Sequence, residues 1–204
     1  MGILRITVED TADVAASGAR LHLVVAGTAA VLGNAAGKRA AEVRDLVAAL
    51  TAAGVDEAGI EVTGVRLAST EHLLGRNQKA QISLRVAVEP GLLPAALGVL
   101  ADRPNLTLEH LEWVYDTFEA SIPLAAAAMV RARRKADAVA AAAGLRVTGI
   151  ANASDSWSMP GPHESVAYGM LAARGRAADL DLGVEFSSTT QVSVNLSVDF
   201  ELGE

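Results

Sequence analysis

The sequence predicts an α+β protein: an antiparallel sheet with helices packed on one face, in the order β-β-α-β-β-α-β-α-β-β, containing a ferredoxin-like split βαβ. Three observations lead there. The closing segment sets Val192, Val194, Leu196, Val198, Phe200 and Leu202 in strict alternation with Ser193, Asn195, Ser197, Asp199 and Glu201, the signature of a strand with one buried face. Elsewhere apolar residues recur at helix spacing, as Val43, Leu46, Val47 and Leu50 do. Between Arg20 and Phe118 the two patterns follow each other as β-α-β-β-α-β.

The elements follow in order. Leu4, Ile6 and Val8 alternate with Arg5, Thr7 and Glu9, a short strand, and Asp10 to Gly18 reads as a polar turn. Leu21 to Ala26 is apolar on both faces and is expected at the centre of a sheet. Asn34 fits a helix N-cap, and Gly54 ends that helix. Ile60 and Val62 are out of phase with Val65 and Leu67, so a bulge at Gly64 is expected to return both pairs to one face. Ser69 to Lys79 reads as a hairpin tip. Ile82, Leu84, Val86 and Val88 alternate as a half-buried strand. Leu93, Ala96, Leu97 and Leu100 form a second amphipathic helix before Pro104, and Leu106 to Phe118 reads as a strand. Ser121 is expected to cap a third helix with Pro123 in its first turn, and Gly144 to end it. Leu145 to Ala151 is a strand. A long loop is expected at about 154–190, with Leu180 to Phe186 its most ordered part. No interior linker divides the chain, so residues 1–204 are expected to form a single domain on one continuous sheet.

Composition narrows the function. The 204 residues carry 17 Lys+Arg against 24 Asp+Glu, a net charge of −7, which argues against a nucleic-acid binder because that role needs a basic footprint. Hydrophobic residues make up 51% and aromatics only 3%, so the core is filled with small side chains. Cysteine is absent, which removes disulfides, thiolate metal sites and cysteine nucleophiles. Mean hydropathy is high at +0.31. Yet the longest apolar runs, Leu21 to Leu32 and Ala138 to Leu145, fall short of the ~20 residues of a spanning helix, so no integral membrane segment is expected. The opening Met1-Gly2-Ile3-Leu4-Arg5-Ile6 does not read as an export signal. The chain as given is expected in the cytoplasm, or in the periplasm or outside the cell if a leader was removed.

Four stretches resemble the SIMPL family of YggE-like proteins. They are the passage from Leu21 through Leu50 to Gly54-Val55 and Gly59-Ile60-Glu61-Val62-Thr63; the strand Ala80 to Val88; the alanine-rich helix Ala125 to Gly144 followed by Leu145 to Ile150; and the closing strand Val192 to Leu202. The third, with its repeated Ala, basic residues, Ala and terminal Gly, is the most specific. The likeness runs from about Arg5 to Leu202. Glu9-Asp10 and Ser17-Gly18 depart from the family's usual opening. The resemblance implies an α+β protein of undefined biochemical role. It also implies homo-oligomeric assemblies and stress responses in bacteria, adaptor roles in animals, and no established enzyme activity.

The reactive residue types form no constellation in the sequence. Gly33 to Arg39 has one residue too few between its glycines for a phosphate loop, and Arg39 stands where a Ser or Thr would hold magnesium. It reads as a glycine-rich helix start with solvated basic residues. His22, His72, His110 and His163 are scattered, and Glu109-His110 places its two side chains on opposite strand faces. Ser154-Asp155-Ser156 lacks a nucleophile elbow, and Glu109 and Glu112 read as strand-edge solubility devices. Ala128, Ala132, Ala136 and Ala140 form a stripe that lets a helix approach closely, with a contact to the sheet preferred over one between subunits. Arg131, Arg133, Arg134 and Lys135 form the densest basic run, expected to be solvated. Trp157, Met159, Pro160 and Pro162 place apolar groups in the long loop.

The sequence therefore predicts a non-enzymatic protein acting through homo-oligomerisation or contacts with an unidentified protein partner. Candidate contact residues are Trp157, Met159, Arg131, Arg134 and Lys135. No catalytic, cofactor-binding or metal-binding residue is predicted, and no cofactor. Two other readings stay open: a small-ligand module with a pocket between the sheet and the 157–162 loop, and a hydrolase whose site is assembled only in the fold.

Overall fold

A computed structural model of the chain describes residues 2–29, 35–72, 75–159 and 188–204. Among these the elements are β1 (Gly2–Ala15), β2 (Gly18–Ala29), α1 (Ala35–Ala52), β3 (Ile60–His72), β4 (Gly75–Val88), α2 (Leu93–Ala101), β5 (Leu106–Val114), α3 (Thr117–Ala142), β6 (Arg146–Ser158) and β7 (Thr189–Gly203). The predicted order holds, and every strand pair is antiparallel. The single continuous sheet does not. The strands form two sheets, β3-β4-β2-β5 and β1-β7-β6, and the chain folds as two compact units built around them. Alternation in a sequence reveals that a strand has a buried face, but not which strand it hydrogen-bonds to.

The unit holding β2 to β5 is the predicted split βαβ. Strand β4 lies between β2 and β3, which α1 connects, and β2 lies between β4 and β5, which α2 connects. The two-sided apolar strand β2 is central, as expected. Its Leu21, Leu23 and Val25 meet Ile82, Leu84 and Val86 of β4 beneath Leu46 and Leu50 of α1 and Leu93 and Ala96 of α2. Helix α1 ends at Gly54, whose φ of 96° is a conformation that L side chains avoid. The N–H of Val55 then returns to the carbonyl of Leu50 at 3.0 Å. The proposed cap Asn34 lies outside the described residues.

The bulge at Gly64 is present, with Thr63 the extra residue between Val62↔Leu84 and Gly64↔Ser83. A second phase slip lies in β5. Leu106 and Leu108 are out of step with Leu111 and Trp113, and the register shifts there, pairing His22 with His110 but Leu23 with Leu108.

Contrary to the expectation of a solvated basic residue, Arg39 is buried. It is only 7% exposed, and its guanidinium donates to the carbonyl of Ala26 at 3.2 Å and pairs with Glu42 at 2.8 Å. Gly27 makes the room, since a Cβ there would collide with that guanidinium. Gly27→Ala is therefore expected to displace Arg39 and destabilise the protein by about 1–3 kcal/mol. In urea denaturation the loss should shrink in an Arg39→Ala background, because the collision partner is gone.

The other unit pairs β1 with β7 in unbroken register from Gly2↔Leu202 to Ala15↔Thr189. The predicted polar turn from Asp10 is thus strand as far as Ala15. Helix α3 lays Ala128, Ala132 and Ala136 against Ile6, Leu196, Val198 and Phe200. Alanine suits this site because its short side chain lets the helix backbone come close to the sheet. Two boundaries differ from expectation. Strand β5 stops at Val114, and Asp116 rather than Ser121 caps α3, its Oδ1 accepting from the N–H of Glu119 at 3.3 Å. Asp116 and Glu119 have the spacing of a capping box, a signal present in the sequence. Ser121 is buried and donates to the carbonyl of Phe118 at 2.7 Å, and Pro123 is inside the helix. Gly144, with φ 70°, closes α3 as predicted.

The predicted loop also begins too early, because Ser154 to Ser158 belong to β6. Thr189 and Thr190 belong to β7. Pro160, Pro162, His163 and Leu180 to Phe186 lie outside the described residues.

On the helix-free face of this sheet, Arg5 grips both carboxylate oxygens of Asp199 at 2.6 and 2.8 Å. That hydrogen bond holds the Asp199 carboxyl below the ordinary aspartate range. A depressed value means stability that is present above the unfolded value of about 3.9 and lost as pH falls through the lower folded one. The gap in urea midpoint between wild type and Asp199→Asn should therefore be constant from neutrality to about pH 5 and close below about pH 4.

Candidate functional site

Three surfaces are candidates. The first is the helix-free face of the four-stranded sheet. Leu21 and Leu23 point into the core, so His22 between them points away. Cross-strand register then sets Glu61, Arg85, His22 and His110 in one row over β3, β4, β2 and β5. Arg85 pairs with Glu61 at 2.5 Å. The rings of His22 and His110 stack with centroids 3.9 Å apart and 13° between planes. Glu112 sits 3.4 Å from Nε2 of His22 and pairs with Arg20 at 3.3 Å.

Sequence spacing could not show this cluster, because the two histidines meet only through the β2–β5 pairing. On β2 His22 does stand between two leucines, but on β5 His110 stands between Glu109 and Leu111 beside the register shift. Chemically the cluster is a charge-matched cross-strand ladder. Near-parallel rings point their nitrogen lone pairs side by side rather than toward one point. Among the described residues no group of three His, Asp or Glu side chains could hold a metal ion. Glu112 is thus a ladder partner, not simply an edge charge.

The second surface is the basic run of α3. Arg131 pairs with Asp10 at 2.5 Å and donates to the carbonyl of Glu9 at 3.2 Å, while Arg133 pairs with Asp137 at 3.1 Å. Arg134 and Lys135 are exposed. Trp157 is on strand β6 rather than in a loop, and Met159 follows the strand. Asp10, Val194 and Trp157 form one row across β1, β7 and β6. Arg131 therefore anchors to one edge of the sheet and Trp157 stands at the other. Of the contact residues proposed from the sequence, Arg131, Arg134 and Lys135 thus lie on α3, and Trp157 and Met159 on and just after β6.

The third surface was not foreseen. Val62, Val65 and Leu67 of β3 lie opposite Leu84, Ile82 and Ala80 of β4, on the sheet face that carries the helices. The β4 residues are buried, yet Val62, Val65 and Leu67 are 59%, 59% and 65% exposed. Helix α1 packs over β4 and β2, and among the described residues only Ile60 of β3 packs against the core, while Val62, Val65 and Leu67 stay exposed. An open groove lined by Val43, Arg44, Val47, Ala48 and Thr51 runs along α1 and reaches Glu57, just before β3. On the other sheet, Ile150 and Trp157 of β6 pair with buried Phe200 and Val194 and are themselves 49% and 43% exposed. Each sheet thus has an edge strand with exposed apolar side chains on its helix-bearing face, although α3 does reach β6 at Val147. The ligand pocket expected at 157–162 falls partly outside the described residues.

Among the described residues no helix is long and apolar enough to cross a membrane. A family model named SIMPL, described as a protein of unknown function, matches residues 4–200. No curated protein matches the chain.

Proposed function

We propose, from the premise that this chain belongs to the SIMPL family of proteins of unknown function, that it acts by associating with further copies of itself rather than by making or breaking bonds. The observation that carries this reading is the exposure of Val62, Val65 and Leu67 on β3 and of Ile150 and Trp157 on β6. Contiguous apolar surface of this kind gains free energy when another surface removes it from water, at roughly 25 cal/mol per Å². The polar clusters are matched internally as ladders and ion pairs, an arrangement suited to a shaped surface. Size-exclusion chromatography with light scattering tests the reading. The expected mass is a multiple of the 21.0 kDa chain mass. A monomer persisting at about 100 μM would overturn it, since contacts this weak (Kd above 0.1 mM, about −5.5 kcal/mol) would not assemble the protein.

A further inference from the structure

The exposed edge of β3 is self-complementary, and we propose that two copies of the chain join there, β3 against β3, in antiparallel pairing about a two-fold axis between Thr63 and Gly64. This deepens the self-association reading and rests on it.

The bulge at Gly64 makes the pairing possible. It returns Ile60 and Val62 to the same sheet face as Val65 and Leu67. An axis between Thr63 and Gly64 then sets Val62 opposite Val65 of the second copy and Ile60 opposite its Leu67. Without the extra residue these partners would fall on opposite faces. On the other face the same axis sets Glu61 opposite Arg66 of the second copy, and Arg66 opposite its Glu61. Each two-fold contact carries both pairs, so the charges match twice. Glu61 is exposed even while paired with Arg85, which leaves it able to share a second guanidinium. The joined sheets would have eight strands, with the bare strips of β3 side by side between two α1 helices.

The other edges fit less well. Strand β5 carries Glu109 and Glu112 and no Lys or Arg, so pairing it with itself opposes like charges. The apolar side of β1 is already covered by α3. Strand β6 breaks register twice along its length, between Val147 and Gly149 and between Ile150 and Asn152.

The chain has no cysteine, so introduced thiols report on the contact without background. Directly opposed residues in an antiparallel pair have Cα atoms about 4.5–5.5 Å apart, within disulfide range. A mixture of the single variants Val62→Cys and Val65→Cys should give a disulfide-linked dimer under mild oxidation, about tenfold more than either variant alone, because each residue faces the other type. In a second arm, Arg66→Glu should weaken association by about tenfold, and the double variant E61R/R66E should restore it to within about threefold by exchanging the charges. Circular dichroism checks that each variant is folded. Should wild type assemble while cross-linking and charge exchange show no such pattern, the β3 edge is refuted and self-association stands. A wild type that stays monomeric refutes both.

Discussion

Replacing Phe200 with Ala should cost about 3–5 kcal/mol and lower the melting temperature by on the order of 10 °C. Phe200 is the largest of the fully buried side chains and lies in the cluster formed by Ile6, Ala128, Ala132, Ala136, Leu196 and Val198. Three of its neighbours are the alanines of α3, beside Ile6, Leu196 and Val198 of the sheet. Alanine cannot bend into the space a lost phenyl ring leaves, so the cavity collapses poorly, and the penalty belongs at the upper end of the range. A loss of this size is a large fraction of the stability of a typical domain. Asn195→Ala, on the exposed face of the same strand, should change stability by less than about 0.5 kcal/mol. Urea and thermal denaturation followed by circular dichroism would compare the two.

Ala132→Asp is expected to be about as severe, costing about 3–5 kcal/mol. Ala132 is fully buried where α3 meets the sheet. The residues clustered around it are all apolar, so a carboxylate there finds no partner among them. The side chain would have to stay neutral or push the helix off the sheet. Ala126→Asp places the same residue on the exposed side of the same helix. Its cost should be limited to helix propensity, about 0.5 kcal/mol. The difference between the two variants measures the burial, not the chemistry, of the substitution. Equal costs would mean that the alanine stripe is not the packing face.

The alanine stripe, the bulge at Gly64, the glycine stops at Gly54 and Gly144 and the alternation of Val192 to Leu202 were all legible in the sequence. Each is a local signal. Helix spacing, phase slips and left-handed glycine positions are set by neighbouring residues along the chain. The capping box at Asp116 and the slip at Glu109 are equally local signals, although Ser121 and an unbroken strand are the simpler readings of the same residues. The candidate surfaces were much less legible. Trp157 and the basic run stood out by residue type, yet Trp157 proved to be a strand residue and Arg131 pairs with Asp10 within its own unit. The stack of His22 on His110 and the bare strip of β3 carried no mark in the sequence that distinguished them.

The order of the ten strands and helices and the SIMPL likeness could be read from the chain alone, because those follow from periodicity and from residues close along the chain. Tertiary structure alone decided that β1 pairs with β7 rather than β2, that two sheets form instead of one, and that α1 packs over β2 and β4 while Val62, Val65 and Leu67 of β3 stay exposed. The physical reason is that strand pairing and helix placement are choices among distant segments with similar alternation. They are made by the free energy of the whole assembled core, and an apolar residue reads the same in sequence whether a helix arrives to cover it or not.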